Sequence, residues 1–149
     1  MDWSFLNQLP KEMRDALDRE LAASYTPQFK RETVRFTVPE VISADTEQGG
    51  VWEAPAAGKI TRVLAYRKST TGTGGGTIVD VNISGTTIFT TQSRRPTIPY
   101  DSASGKALSG IVEAGILAEG SLVTVDVDAI DSGGAPSDLT VVLTVEYSA

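Results

Sequence analysis

The chain contains no cysteine and no histidine among its 149 residues. Without cysteine there is no disulfide and no thiolate metal site. Without histidine the usual general base, the usual zinc ligand and the side chain that switches charge near neutral pH are all missing. No metal and no other cofactor is expected. Catalysis by Asp, Glu, Lys or Tyr stays chemically open, yet the expectation is a protein that is not an enzyme. Aromatic residues make up only 7% of the chain, which is low for a sugar-binding platform. No apolar run is long enough to cross a bilayer, so no membrane partner is expected. The opening "MDWSFLNQLPKEM" lacks the basic, apolar and small-residue regions of a secretory signal, which points to a soluble protein made in a cytoplasm.

The charge is uneven. The net charge is −6. Residues 1–35 carry six basic and six acidic side chains, whereas residues 36–149 carry seven basic and thirteen acidic ones. An acidic body argues against nucleic acid as a partner, because phosphate binding needs a basic surface. It also resists nonspecific sticking.

What is present divides into two parts, residues 1–31 and residues 32–149. In "PKEMRDALDRELAAS", Pro10 sits at a helix start, and Leu9, Met13, Leu17 and Leu21 recur at four-residue steps. That spacing makes one apolar stripe on a short amphipathic helix. Asp15 and Arg19 lie within i, i+4 reach. Trp3, Phe5 and Leu6 precede this helix, and Tyr25, Pro27 and Phe29 follow it. Two roles are open to it: a cap on the end of its own core, or an arm that docks on a neighbouring subunit or partner.

From Glu32 the apolar period changes to two. Val34, Phe36 and Val38 share one face of "ETVRFTV". In "KITRVLAYRK", Ile60, Arg62, Leu64 and Tyr66 alternate with Thr61, Val63 and Ala65. Val79, Val81 and Ile83, then Val123, Val125 and Val127, then Leu139, Val141, Leu143 and Val145 continue the pattern. Strict alternation gives each strand a buried and a wet face. The expected fold is all-β, an antiparallel β-sandwich of jelly-roll type with about eight strands and a short N-terminal α-helix arm. "ISGTT" reads as a hairpin turn at Gly85. "TTGTGGGT" and "DSGGAPSD" read as loose loops.

Candidate chemical sites are few. "TGTGGGT" lacks the Gly-Lys-Ser/Thr ending of a phosphate loop, and no helix follows it. Asp80, Asp126, Asp128, Asp131 and Asp138 do not match a calcium loop, and Asp126 and Asp128, alternating on one sheet face, read as a solvated face that blocks edge-to-edge aggregation. "SRRP" is the sharpest basic cluster. Arg94 and Arg95 are suited to bidentate contact with carboxylates, and Pro96 and Pro99 keep the segment extended and out of any central strand.

The run "VWEAPAAGKITRVLAYRKSTTGTGGGTIVDVNISGTTIFTTQSRRPTI" resembles a pattern in tailed-phage virion proteins, including head fibre and decoration modules. The matching residues are Ala54, Pro55, Gly58 and Ile60; Thr71 and Gly72; Asp80, Val81, Asn82 and Gly85 through Thr90; and Arg95, Pro96 and Ile98. The resemblance covers residues 34–147 and leaves the N-terminal segment outside it. It implies a β-domain fastened to a particle by an N-terminal segment, and trimeric assembly.

Together these readings lead to a non-enzymatic decoration or cement protein at the capsid surface of a virion. Its expected partners are the major capsid protein and further copies of itself in a homotrimer. Its expected contacts are Trp3, Phe5, Leu6, Leu17, Leu21, Tyr25 and Phe29 on the arm, with Arg94 and Arg95 adding charge. The alternatives are a receptor- or carbohydrate-binding module of a head or tail fibre and, third, a small β-sandwich hydrolase.

Overall fold

The computed structural model describes residues 8–24, 29–68 and 72–148. Among these residues one helix, α1 (Lys11–Ser24), comes first. Ten strands follow: β1 (Lys30–Val41), β2 (Val51–Glu53), β3 (Gly58–Tyr66), β4 (Gly76–Ile83), β5 (Thr86–Thr87), β6 (Thr97–Pro99), β7 (Lys106–Leu108), β8 (Ile116–Leu117), β9 (Leu122–Ala129) and β10 (Ser137–Tyr147). A 3-10 turn, Gln92–Arg94, separates β5 from β6.

The strands form two antiparallel sheets of five. In sheet one the order is β1-β10-β3-β7, and β8 also pairs with β3. In sheet two the order is β2-β9-β4-β5, and β6 also pairs with β4. The short strands β5 and β6 lie in line beside β4, and β7 and β8 in line beside β3. Each of these pairs counts as one position. The chain then visits the sheets as first, second, first, second, second, first, second, first, which is the winding of a jelly roll.

The inner faces supply the core. Phe36, Ile60, Val63, Ala65, Val141, Leu143 and Val145 from sheet one meet Val79, Val81, Val123, Val125 and Val127 from sheet two, all buried. β-Branched side chains suit this setting because they pack stiffly on a pleated, half-buried surface. Ile88 and Phe89, just past the β4–β5 hairpin, are fully buried and fill the space between the layers. That hairpin turns on Ser84 and Gly85, with φ of +49° and +81°. Positive φ at both positions is the type I′ geometry, whose twist matches the flanking strands.

Two elements depart from the sequence reading. In β3, Thr144 pairs with Arg62 but Val145 pairs with Ile60, so Thr61 is an extra residue in a β-bulge. The bulge inverts the alternation. Ile60, Val63 and Ala65 therefore face inward, and Leu64 joins Arg62 and Tyr66 on the outer face.

The second departure concerns the loops. Asp131, at the start of a segment read as a loose loop, is buried and forms an ion pair with Arg67 at 2.6 Å, with both side chains at 0% exposure. Arg67 also donates to the Pro99 carbonyl at 3.0 Å, and Thr77 Oγ1 donates to Asp131 at 3.3 Å. The pair thus ties the ends of β3, β4 and β6 to the β9–β10 loop. The described part of the glycine-rich loop pairs its backbone with the same loop, through Thr73 N to Ser132 O at 2.7 Å and Ser132 N to Gly74 O at 2.9 Å. A Cβ on Gly72 would lie 2.7 Å from Asp131 Cβ, so only glycine permits that approach without a shift. Gly76 is approached as closely, with Ile98 O 2.6 Å from where its Cβ would stand.

Removing one partner of a buried pair strands a charge in the interior. Asp131→Ala is expected to destabilise the fold by about 3–5 kcal/mol, whereas the apolar pair Arg67→Met with Asp131→Leu stays near the parent or exceeds it. Urea unfolding of the three proteins checks this, and a near-silent Asp131→Ala would show the pair is not structural.

Candidate interaction surfaces

The residues expected to bind partners fall into three groups. Trp3, Phe5, Leu6 and Tyr25 lie outside the described residues. The second group lies on and after α1. The helix starts where the sequence places it, with Met13 N and Arg14 N bonding the Pro10 carbonyl. Every side chain from Lys11 to Leu21 is exposed. Met13 is 53% exposed, Leu17 38% and Leu21 62%, so the apolar stripe is not buried against the β-body. Phe29, just before β1, is 60% exposed.

Phe29 also borders a shallow apolar groove of about 690 Å³, with Ala56, Ala57, Ile116 and Leu117 among its walls. A smaller hollow of about 330 Å³ adjoins it at Ala56 and Ser148, near Pro55 and Tyr147. Tyr147 donates to Glu32 Oε2 at 2.9 Å, and burial, reinforced by that carboxylate, pushes its hydroxyl up to about 12. The groove therefore lies where the N-terminal segment enters the sandwich.

Arg94 and Arg95 form the third group, and each has an acidic partner within the chain. Arg94 pairs with Glu113 at 2.9 Å, and Arg95 pairs with Asp128. Glu113 also accepts bonds from the Thr91 N–H and hydroxyl at 2.7 and 2.8 Å. The backbone N–H, then the Thr91 hydroxyl, hold this carboxyl below its ordinary value, and Arg94 adds to the effect. The segment after the 3-10 turn is extended and joins the edge of sheet two as β6, in keeping with its prolines.

The remaining acids of sheet two share its outer face but are not all solvated. Asp80 and Asp126 are direct cross-strand partners. Asp80 Oδ1 accepts from Val81 N and Thr87 Oγ1, each at 2.7 Å, and Asp126 accepts from Asn82 Nδ2 at 2.7 Å and Glu47 N at 2.9 Å. Asp80 is 7% exposed. Burial raises its carboxyl above the ordinary value, against the opposing pull of the Thr87 and Val81 bonds. Among the described residues, no group of three or more acidic side chains is arranged to hold a metal ion. No helix among them is long and apolar enough to cross a membrane.

No protein-family model matches the chain, and no curated protein matches it. Solved structures give matches. A chain in the capsid of Ralstonia phage GP4 superposes with a TM-score of 0.52 at 16% identity, over 80% of this chain and 85% of that one. A chain in the capsid asymmetric unit of cyanophage Pam1 gives a TM-score of 0.47 at 13% identity, over 83% and 87%. The likeness to the GP4 chain establishes a common all-β architecture between two chains of similar length.

Asp80 offers a test of this face. Its carboxyl has a higher pKa folded than unfolded, so its contribution to stability is present below the unfolded value and is lost as pH rises through the folded value. Asp80→Asn keeps an oxygen to accept both hydrogen bonds and removes the buried charge. Its urea midpoint should exceed that of the parent at neutral pH and converge with it in acid. A lower midpoint at neutral pH would show that the charge itself is stabilising.

Proposed function

We propose that this chain is a non-enzymatic structural protein of a tailed-phage virion, a decoration or cement protein that stabilises the capsid from its surface after synthesis in the host cytoplasm. Residues 1–31 are the anchoring arm and residues 32–149 the jelly-roll body. The arm fastens the body to the major capsid protein or to neighbouring subunits, and the working unit is a homotrimer. The observation that carries this reading is the arm: an amphipathic helix whose apolar stripe is left exposed by a body that has closed its own core without it. An exposed stripe of this kind is a surface made to be covered by a partner.

The shared fold with a chain of similar length in the capsid of Ralstonia phage GP4 supports the same reading. The resemblance of residues 34–147 to virion modules adds weight to it. A protein with this role needs a rigid body and a sticky foot, and it gains strength through many equivalent copies on one particle. In the proposal Trp3, Phe5, Leu6, Leu17, Leu21, Tyr25 and Phe29 make the apolar contacts of the arm. Arg94 and Arg95 meet partner carboxylates at the edge of the body, where Arg94 keeps 38% of its side chain exposed while paired to Glu113.

The test uses shells assembled without this protein. Purified full chain should co-sediment with them. The triple variant Leu17→Asp, Leu21→Asp and Phe29→Asp should keep the parent's circular dichroism, since all three side chains are exposed, and should lose at least about tenfold in affinity. Unchanged binding of that variant would remove the arm from the account. No binding by the parent chain would remove the decoration role.

A further inference from the structure

Sheet one has a basic outer face on an acidic protein. Arg31, Arg35, Lys59, Arg62 and Lys106 are all exposed there, and Glu146 is a carboxylate among them. Glu146 is taken up by Arg31 at 2.6 Å. Among the described residues no ion pair involves Arg35, Lys59, Arg62 or Lys106. The register sets an apolar strip between these charges: Arg35, Val142, Leu64 and Leu108 follow one another straight across the four strands. Leu108 is 54% exposed, and Tyr66 lies in the next row with its hydroxyl 3.4 Å from Arg35.

The complement lies on the other sheet. At its β2 edge, Val51 and Leu122 are 54% and 48% exposed. Glu53 is the direct partner of Leu122, and the exposed Asp45 and Glu47 run beside Asp126 on β9. No ion pair among the described residues involves Asp45, Glu47 or Glu53. This edge is therefore apolar and acidic, as the face of sheet one is apolar and basic. The two surfaces belong to different sheets, so one copy cannot bring its own together.

We propose that the basic outer face of sheet one docks on the acidic β2 edge of a second copy of this chain, head to tail. Such a contact is heterologous and closes into a ring when the rotation between copies allows it. The fit rests on charge and on apolar area together: exposed Leu108 and half-buried Leu64 and Val142 on one side, Val51 and Leu122 on the other. Acidic protein suits this face better than nucleic acid because its centre is apolar and the chain as a whole is negative. The inference deepens the self-association part of the proposed function, and its test is made in solution without shells, so that failure of shell binding and failure of this contact are read separately.

Sedimentation velocity of the full chain over the micromolar range should show a discrete oligomer that weakens as salt is raised. Arg35→Glu with Arg62→Glu should weaken association by roughly 100-fold or more, because like charges then face each other. Glu47→Lys with Glu53→Lys should do the same, and all four substitutions in one chain should restore the oligomer. Circular dichroism identifies any variant that fails to fold, in which case the corresponding alanine pair replaces it and should weaken association in the same direction. A monomeric parent, an oligomer untouched by both reversals, or a folded four-fold variant that stays monomeric overturns the proposal. So does a monomeric parent that retains an oligonucleotide through Arg35 and Arg62, which would assign the face to nucleic acid.

Discussion

The fold depends on β10 lying in the middle of sheet one. This strand, Ser137–Tyr147, comes last among the strands, yet it separates β1 from β3 and contributes Leu139, Val141, Leu143 and Val145 to the core. Until it is in place, β1 has no partner strand, and the inner faces of β1 and β3 have nothing continuous between them. The register joins residues more than a hundred positions apart, such as Lys30 with Tyr147. Pairing at that separation is costly in loop entropy and slow to form, so the sandwich closes cooperatively or not at all.

The far end of the sandwich has its own tie. Strands β3, β4, β6 and β9 end in loops that would splay apart without a shared anchor, and Arg67 with Asp131 supplies it. The opposite end, at Phe29 and the groove beside Ile116, is where the N-terminal segment leaves the body. The molecule is thus tied by a buried ion pair at one end and carries an apolar groove at the other.

Much of this was legible in the sequence where the signal is local. Alternation in β1, β4, β9 and β10 marks their buried faces, and the four-residue steps of Met13, Leu17 and Leu21 mark the stripe on α1. The failures share one cause: they depend on residues far away in the chain. The bulge at Thr61 exists because of how β3 meets β10, and it turns Leu64 outward although its spacing from Ile60 places them on one face. Asp131 looks like any loop carboxylate until Arg67, 64 positions away, is folded beside it. The backbone pairing of Thr73 and Gly74 with Ser132 is likewise invisible in the glycine-rich sequence. The basic face is the extreme case, since Arg35, Lys59, Arg62 and Lys106 form no cluster in the sequence and become neighbours only through strand register. "SRRP" shows the converse, a cluster plain in the sequence whose internal partners, Glu113 and Asp128, are not.

A jelly roll is a scaffold for many unrelated functions, so the role rests on surfaces rather than on the fold. The described surfaces carry no metal cluster. They do carry an amphipathic helix with an exposed apolar stripe, an apolar groove at Phe29, and two sheets of opposite outer charge, and the proposed role is built on these. The most direct measurement is a cryo-electron microscopy difference map between tailed-phage particles assembled with and without this chain. The account predicts jelly-roll-shaped density on the outer shell that vanishes without the chain, with the arm directed into the contact. Identical maps would contradict it.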